Sequence, residues 1–170
     1  MSLDPPPSRE VEPLSRSWLK WFSSVRDNFA NFALLEEGAW TPALTFATSG
    51  NLNVVYATQA GRYTKTGRLV TVSYAIITST FTHTTASGGL RITGLPFTAA
   101  NTPDRGGGCI NLFEGVTKAN YTQFAFTPFP ATTYAIAYAS GSGQVSDNIN
   151  AADMPTGTNK SFYGEFTYQT

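Results

Sequence analysis

Two periodicities divide the chain. Between Trp18 and Phe32 the sequence reads WLKWFSSVRDNFANF. Trp18, Phe22, Val25, Phe29 and Phe32 are spaced by four, three, four and three residues, the a/d rhythm of a coiled-coil seam. Pro13 followed by Ser15 or Ser17 gives a helix start, and Gly38 offers a stop. The pattern predicts one amphipathic helix over residues 14–37, too short to be stable alone in water. Its aromatic seam therefore needs a cover, either its own domain or copies of itself. Self-assembly is the favoured expectation, because the following residues carry enough apolar positions for a separate core.

From Trp40 onward the period drops to two. In RLVTVSYAIIT, Val70, Val72, Tyr74 and Ile76 share one face, with Thr71, Ser73 and Ala75 on the other. Phe124 and Phe126 alternate in the same way, and so do Tyr134, Ile136 and Tyr138 with alanines between. Phe162, Phe166 and Tyr168 share a face, with Gly164 among them. Shorter strands are expected at Leu44–Phe46, Asn53–Ala57, Arg62–Lys65, Leu90–Ile92 and Cys109–Phe113. Turn clusters at Ser49-Gly50-Asn51, Ser87-Gly88-Gly89, Pro103–Gly106 and Ser140–Gly143 punctuate them. Many short strands and no second helix predict an all-β fold, an antiparallel β-sandwich or jelly-roll over residues 38–170.

Ahead of the helix, residues 1–13 contain Pro5-Pro6-Pro7, which favour an extended polyproline II arm. Charge follows the same division. The 170 residues carry 11 Lys/Arg and 11 Asp/Glu, and charged residues make up 13% of the chain, low against an average near 25%. Net charge is zero, so nothing marks a nucleic-acid surface. One cysteine excludes an intrachain disulfide. No apolar run reaches the roughly 18 residues of a membrane helix, and the N-terminus has no signal-peptide pattern. The expectation is that the chain folds in a cytoplasm, or leaves the cell by another route such as lysis.

Three clusters carry a resemblance. They are Gly38–Phe46 (GAWTPALTF), Tyr56 followed by Gln59–Gly67 (QAGRYTKTG), and Ile92–Phe97 (ITGLPF). Together they resemble a β domain common in structural proteins of tailed bacteriophages, in tail fibres and other virion appendages. The proline block with its Trp-Leu-Lys-Trp-Phe helix resembles the opening of short phage virion proteins, and Met154–Thr158 before an aromatic strand fits too. The resemblance covers most of the chain, the segment 99–151 being its least distinctive part. It implies a homotrimer built into a virion. Read for packing alone, Trp40 and Pro42 lock a corner where helix gives way to sheet. Gln59-Ala60-Gly61 makes a turn in which Gly61 takes positive φ, and Leu95 and Phe97 plug the core.

Chemistry is sparse. His83 is the only histidine and lies among threonines, with no strained serine elbow to make a triad. One His and one Cys, distant in sequence, do not suggest a metal site, and Cys109 reads as a small buried hydrophobe. Of the five carboxylates after Gly38, two could meet as a glycosidase pair. Tyr121, Tyr134 and Tyr138 are candidates for stacking on a sugar. The sparse chemistry points to a non-enzymatic protein without cofactor or metal, and the resemblance implies a phage structural protein. Its expected partners are two further copies, other virion proteins and a host surface glycan. In this reading Pro5, Pro6, Pro7 and Arg9 attach it to the virion, and Trp18, Phe22, Val25, Phe29 and Phe32 form the trimer seam. A short tail fibre attached through its N-terminus is the leading assignment. A capsid decoration or head-fibre protein is the alternative, and a carbohydrate-binding module is the alternative of another class.

Overall fold

The computed structural model describes residues 16–32, 35–157 and 159–170, with the backbone alone for residues 30–32. It is an all-β domain with one helix, α1 (Arg16–Phe32), ahead of it. The chain divides into two compact units between Glu36 and Glu37. No described helix is long and apolar enough to cross a membrane.

Ten strands follow: β1 (Leu35–Trp40), β2 (Ala43–Thr48), β3 (Asn53–Thr66), β4 (Leu69–Thr82), β5 (Ser87–Thr93), β6 (Gly108–Glu114), β7 (Gln123–Pro128), β8 (Tyr134–Ser140), β9 (Asp147–Asn148) and β10 (Ser161–Gln169). They form one sheet in the order β1-β3-β4-β10-β6-β7-β8-β5-β2, with β9 on β8. The registers are antiparallel. The sheet curls until its far ends meet. The Leu44 N–H of β2 donates to the Tyr56 hydroxyl of β3 at 2.8 Å, and Phe46 of β2 meets Phe81 of β4 edge-on at 6.0 Å. One half (β1, β3, β4, β10) thus lies over the other (β7, β8, β5, β2), as in a sandwich, with β6 at the bend.

The core follows from the period-two pattern. Val70, Val72, Tyr74 and Ile76 are all buried, as their alternation predicts. The C-terminal strand β10 pairs between β4 and β6 and sends Phe162, Phe166 and Tyr168 inward. Phe126 of β7 gathers Tyr74, Phe162 and Phe166 around it at 5.6, 6.4 and 6.4 Å. Gly164 is required here, because a Cβ would sit 2.7 Å from the Cys109 carbonyl and closer still to the Tyr74 hydroxyl.

Three local expectations are corrected. Gly38 does not stop a helix. It lies inside β1, where a Cβ would come within 2.7–2.9 Å of the Tyr63 ring. Gln59-Ala60-Gly61 is no turn either, since β3 is one fourteen-residue strand that absorbs two expected strands, with bulges around Tyr56. Ser87-Gly88-Gly89 opens β5 instead of ending a turn, with Gly88 at φ +78. On β8 the inward residues are Ala135, Ala137 and Ala139, all fully buried, so Tyr134, Ile136 and Tyr138 face outward. Phe124 pairs across from Ala139 and Phe126 from Ala137. The two phenylalanines fill the inward space, and only methyl-sized neighbours fit beside them.

Candidate functional site

The helix is the first candidate. Its 17 residues place Trp18, Phe22, Val25 and Phe29 along one stripe. Trp18 lies 5.8 Å from Trp21 and 5.8 Å from Phe22, and Trp21 meets Phe22 edge-on at 5.1 Å. An aromatic cluster therefore caps the N-terminal half of the stripe. Phe22 is 47% exposed and Phe29 68%, while Trp18 and Val25 are half-buried. Fully burying a large apolar side chain contributes about 1.5–3 kcal/mol, so this face has much to gain from a cover. The polar side carries Arg26 paired to Asp27 at 3.0 Å, an exposed pair worth little. Ser17 is helical, not a cap ahead of the helix. The Phe32 side chain and the arm residues Pro5, Pro6, Pro7 and Arg9 lie outside the described residues.

The three motif clusters, far apart in sequence, converge at one junction between the sheet halves. Trp40 ends β1 and Pro42 precedes β2, so the corner they hold joins two strands and not helix to sheet. The Trp40 indole N–H donates to the Ser73 carbonyl at 3.0 Å and lies over Gly61. Gln59 donates its amide to the Pro42 carbonyl at 3.0 Å. Gly94, at φ +87, abuts the Thr41 carbonyl. Tyr63 packs edge-on against Phe97 at 5.3 Å, and the Lys65 ammonium stands over the same ring at 5.3 Å. Gly61 serves close approach, not positive φ, since its φ lies outside the left-handed region. Leu95 is buried and Phe97 packs against the core, as their motif predicts. The junction is a folding lock.

Two carboxylates do meet. The Lys118 ammonium donates to Asp153 at 2.8 Å and to Asp147 at 2.9 Å, and Asp153 also accepts the Asn150 N–H at 2.7 Å. Desolvation pulls Lys118 down, but its bonds to Asp153 and Asp147 outweigh it and raise its pKa. The Lys118 bond, helped by the Asn148 N–H, holds Asp147 below the usual carboxylate range. The ammonium held between the two carboxylates ties the segments that carry them together. His83 is a hydrogen-bonded loop residue. Its Nε2 lies 2.8 Å from the Met154 carbonyl, and its ring meets Phe46 and Phe81. Cys109 is exposed rather than buried. It alternates with Gly108 and Ile110, and Gly108 lies so close to Phe166 that a Cβ there would meet the Phe166 Cβ at 2.8 Å. Among the described residues no group of three or more His, Cys, Asp or Glu could hold a metal.

Composition did not single out Lys160. Its side chain is fully buried, donating to the carbonyls of Gly115 at 2.6 Å and Pro155 at 2.8 Å and standing 5.3 Å over the Phe81 ring. Burial pulls its pKa down to about 8. Burial raises Tyr74, whose buried hydroxyl has no hydrogen-bond partner among the described residues, and takes Tyr168 up to about 12.

No protein-family model and no curated protein matches the chain. Among solved structures it is similar to the crystal structure of the Dettilon tailspike protein (gp208), with a TM-score of 0.62 and 17% identity. The match covers 82% of this chain and 25% of that one. At this identity the likeness is one of fold. The chain has the fold of a part, about a quarter in length, of a tailspike.

Proposed function

We propose that the chain is a structural, non-catalytic appendage of a bacteriophage virion, a short trimeric tail fibre attached through its N-terminus. The observation that carries this reading is the pairing of a tailspike-like β fold with a preceding helix that leaves Phe22 and Phe29 exposed. Three copies would bury three such stripes at once, and the assembled seam would stabilise helices that are marginal singly. The arm, residues 1–13, would dock on the tail, where three arms act together through their high effective concentration. Each β domain would project as a knob.

The test uses the full chain in an infected host. Deleting residues 1–13 is expected to leave the soluble trimer intact and abolish its recovery in purified particles. Retained incorporation would place the docking surface elsewhere. Labelling on the capsid instead of the tail would transfer the same trimer to a head-fibre role.

A further inference from the structure

The outward face of the half formed by β7, β8, β5 and β2 holds a feature that the folding lock and the helix do not use. Thr45, Arg91, Ile136 and Thr127 stand in one cross-strand row, on the opposite face from buried Leu44, Ile92 and Ala135. The Arg91 guanidinium lies over the Tyr134 ring at 4.5 Å. Tyr134 stacks on Phe129 at 5.6 Å with the planes 12° apart. Arg105 lies over the Phe129 ring at 5.4 Å. Two guanidiniums are thus joined through two stacked rings.

Neither arginine forms an ion pair among the described residues. Three of the five carboxylates that follow Gly38 are engaged elsewhere, Asp147 and Asp153 on Lys118 and Glu114 on Ser161. A guanidinium lying on an aromatic ring is fixed in plane at little cost in further ordering, and its N–H edge stays open to a planar anion. We infer that this face binds a carboxylate-bearing polysaccharide, with Arg91 and Arg105 each taking a sugar carboxylate. A row running across four strands suits an extended polymer, whereas a small molecule prefers a concave site. The threonine hydroxyls of the row suit a hydroxyl-rich chain. Two cations on a chain of zero net charge are too few for the counterion-driven binding of nucleic acid.

This inference names the glycan class for the proposed appendage and rests on that reading only for its biological setting. The test titrates the full chain against fluorescent polygalacturonate, with dextran as neutral polymer and poly(glycerol phosphate) as phosphate polymer. Polygalacturonate is expected to bind, more weakly as salt rises, and the other two far less. Replacing both arginines (R91Q with R105Q) is expected to weaken binding by about tenfold or more. Arg91→Lys, which keeps the charge and loses the fork, is expected to lose most of the Arg91 share; it also serves if the double variant does not fold. Equal binding of dextran, a preference for the phosphate polymer, or variants within about twofold of the parent would overturn the inference. Solution mass and particle incorporation of the same variants are expected to be unchanged. Loss of glycan binding is thereby distinguishable from failure of the appendage reading.

Discussion

Replacing Gly61 by alanine tests how the motif clusters lock the sheet. The new Cβ would stand 2.6 Å from Cδ1 and 2.7 Å from Cε2 of Trp40, with Nε1 nearer still. Relaxed carbon contacts are about 3.5–4.0 Å, so the indole must move by on the order of 1 Å. It has little freedom to do so, being 7% exposed and hydrogen-bonded to the Ser73 carbonyl at 3.0 Å. Overpacking costs about 1–3 kcal/mol, and a weakened hydrogen bond adds about 0.5–1.5 kcal/mol. Against these, alanine reduces the entropy of the unfolded chain by about 0.4–1 kcal/mol. The net is a destabilisation of about 0.5–4 kcal/mol, centred near 2 kcal/mol, which lowers Tm by about 4–8 °C at the centre for a domain of this size. The assay is thermal unfolding of the full chain by circular dichroism at one fixed concentration, because an oligomer's Tm depends on it. The control is a cycle with Trp40→Leu, which removes the indole. Gly61→Ala is expected to cost under about 0.5 kcal/mol in that background. An equal cost in both backgrounds would mean that Gly61 is needed for its backbone and not for Trp40. A neutral or stabilising Gly61→Ala in the parent would refute the packing argument outright.

Further predictions concern the helix and the buried amine. Phe22→Asp with Phe29→Asp is expected to give a folded β domain that no longer assembles, read by sedimentation; a persisting trimer would remove the helix as the assembly element. For Lys160 the folded pKa of about 8 lies below a lysine's ordinary value of 10.5. Between these values the unfolded chain holds a proton that the folded chain lacks, so stability rises with pH, by at most about 1.4 kcal/mol per pH unit. Burial raises the pKa of Tyr74 and of Tyr168, so stability falls again above about pH 10. Urea titrations between pH 7 and 10 should show the rise, and Lys160→Met should flatten it; a parent curve already flat would sink the assignment.

Much of the architecture was legible because period two is a strong signal where one face is buried. Val70 to Ile76 and Phe162 to Tyr168 were oriented correctly from alternation alone. Alternation fixes which residues share a face but not which face is inside, so on β8 it left open whether the tyrosines or the alanines point inward. The larger side chains, Tyr134 and Tyr138, yielded the core to alanines because Phe124 and Phe126 on the neighbouring strand had already filled it. Glycine was ambiguous for a related reason. Gly38 and Gly61 carry the local signature of a helix stop and a turn, but each makes room for an aromatic ring from the neighbouring strand of the sheet, more than twenty residues away in sequence. The Arg91–Tyr134–Phe129–Arg105 series draws on three separate segments, and only the outward turn of β8 brings it together. Lys160 gave no sign of its burial, since a lysine after Thr-Asn normally reads as a surface charge.

The central claim is that the exposed aromatic stripe of α1 joins three chains. The most direct measurement is the solution mass of the purified full chain by multi-angle light scattering across a dilution series. The account predicts three times the chain mass of 18.3 kDa, falling to one chain in the Phe22→Asp, Phe29→Asp variant. A single-chain mass for the parent at every concentration would contradict it.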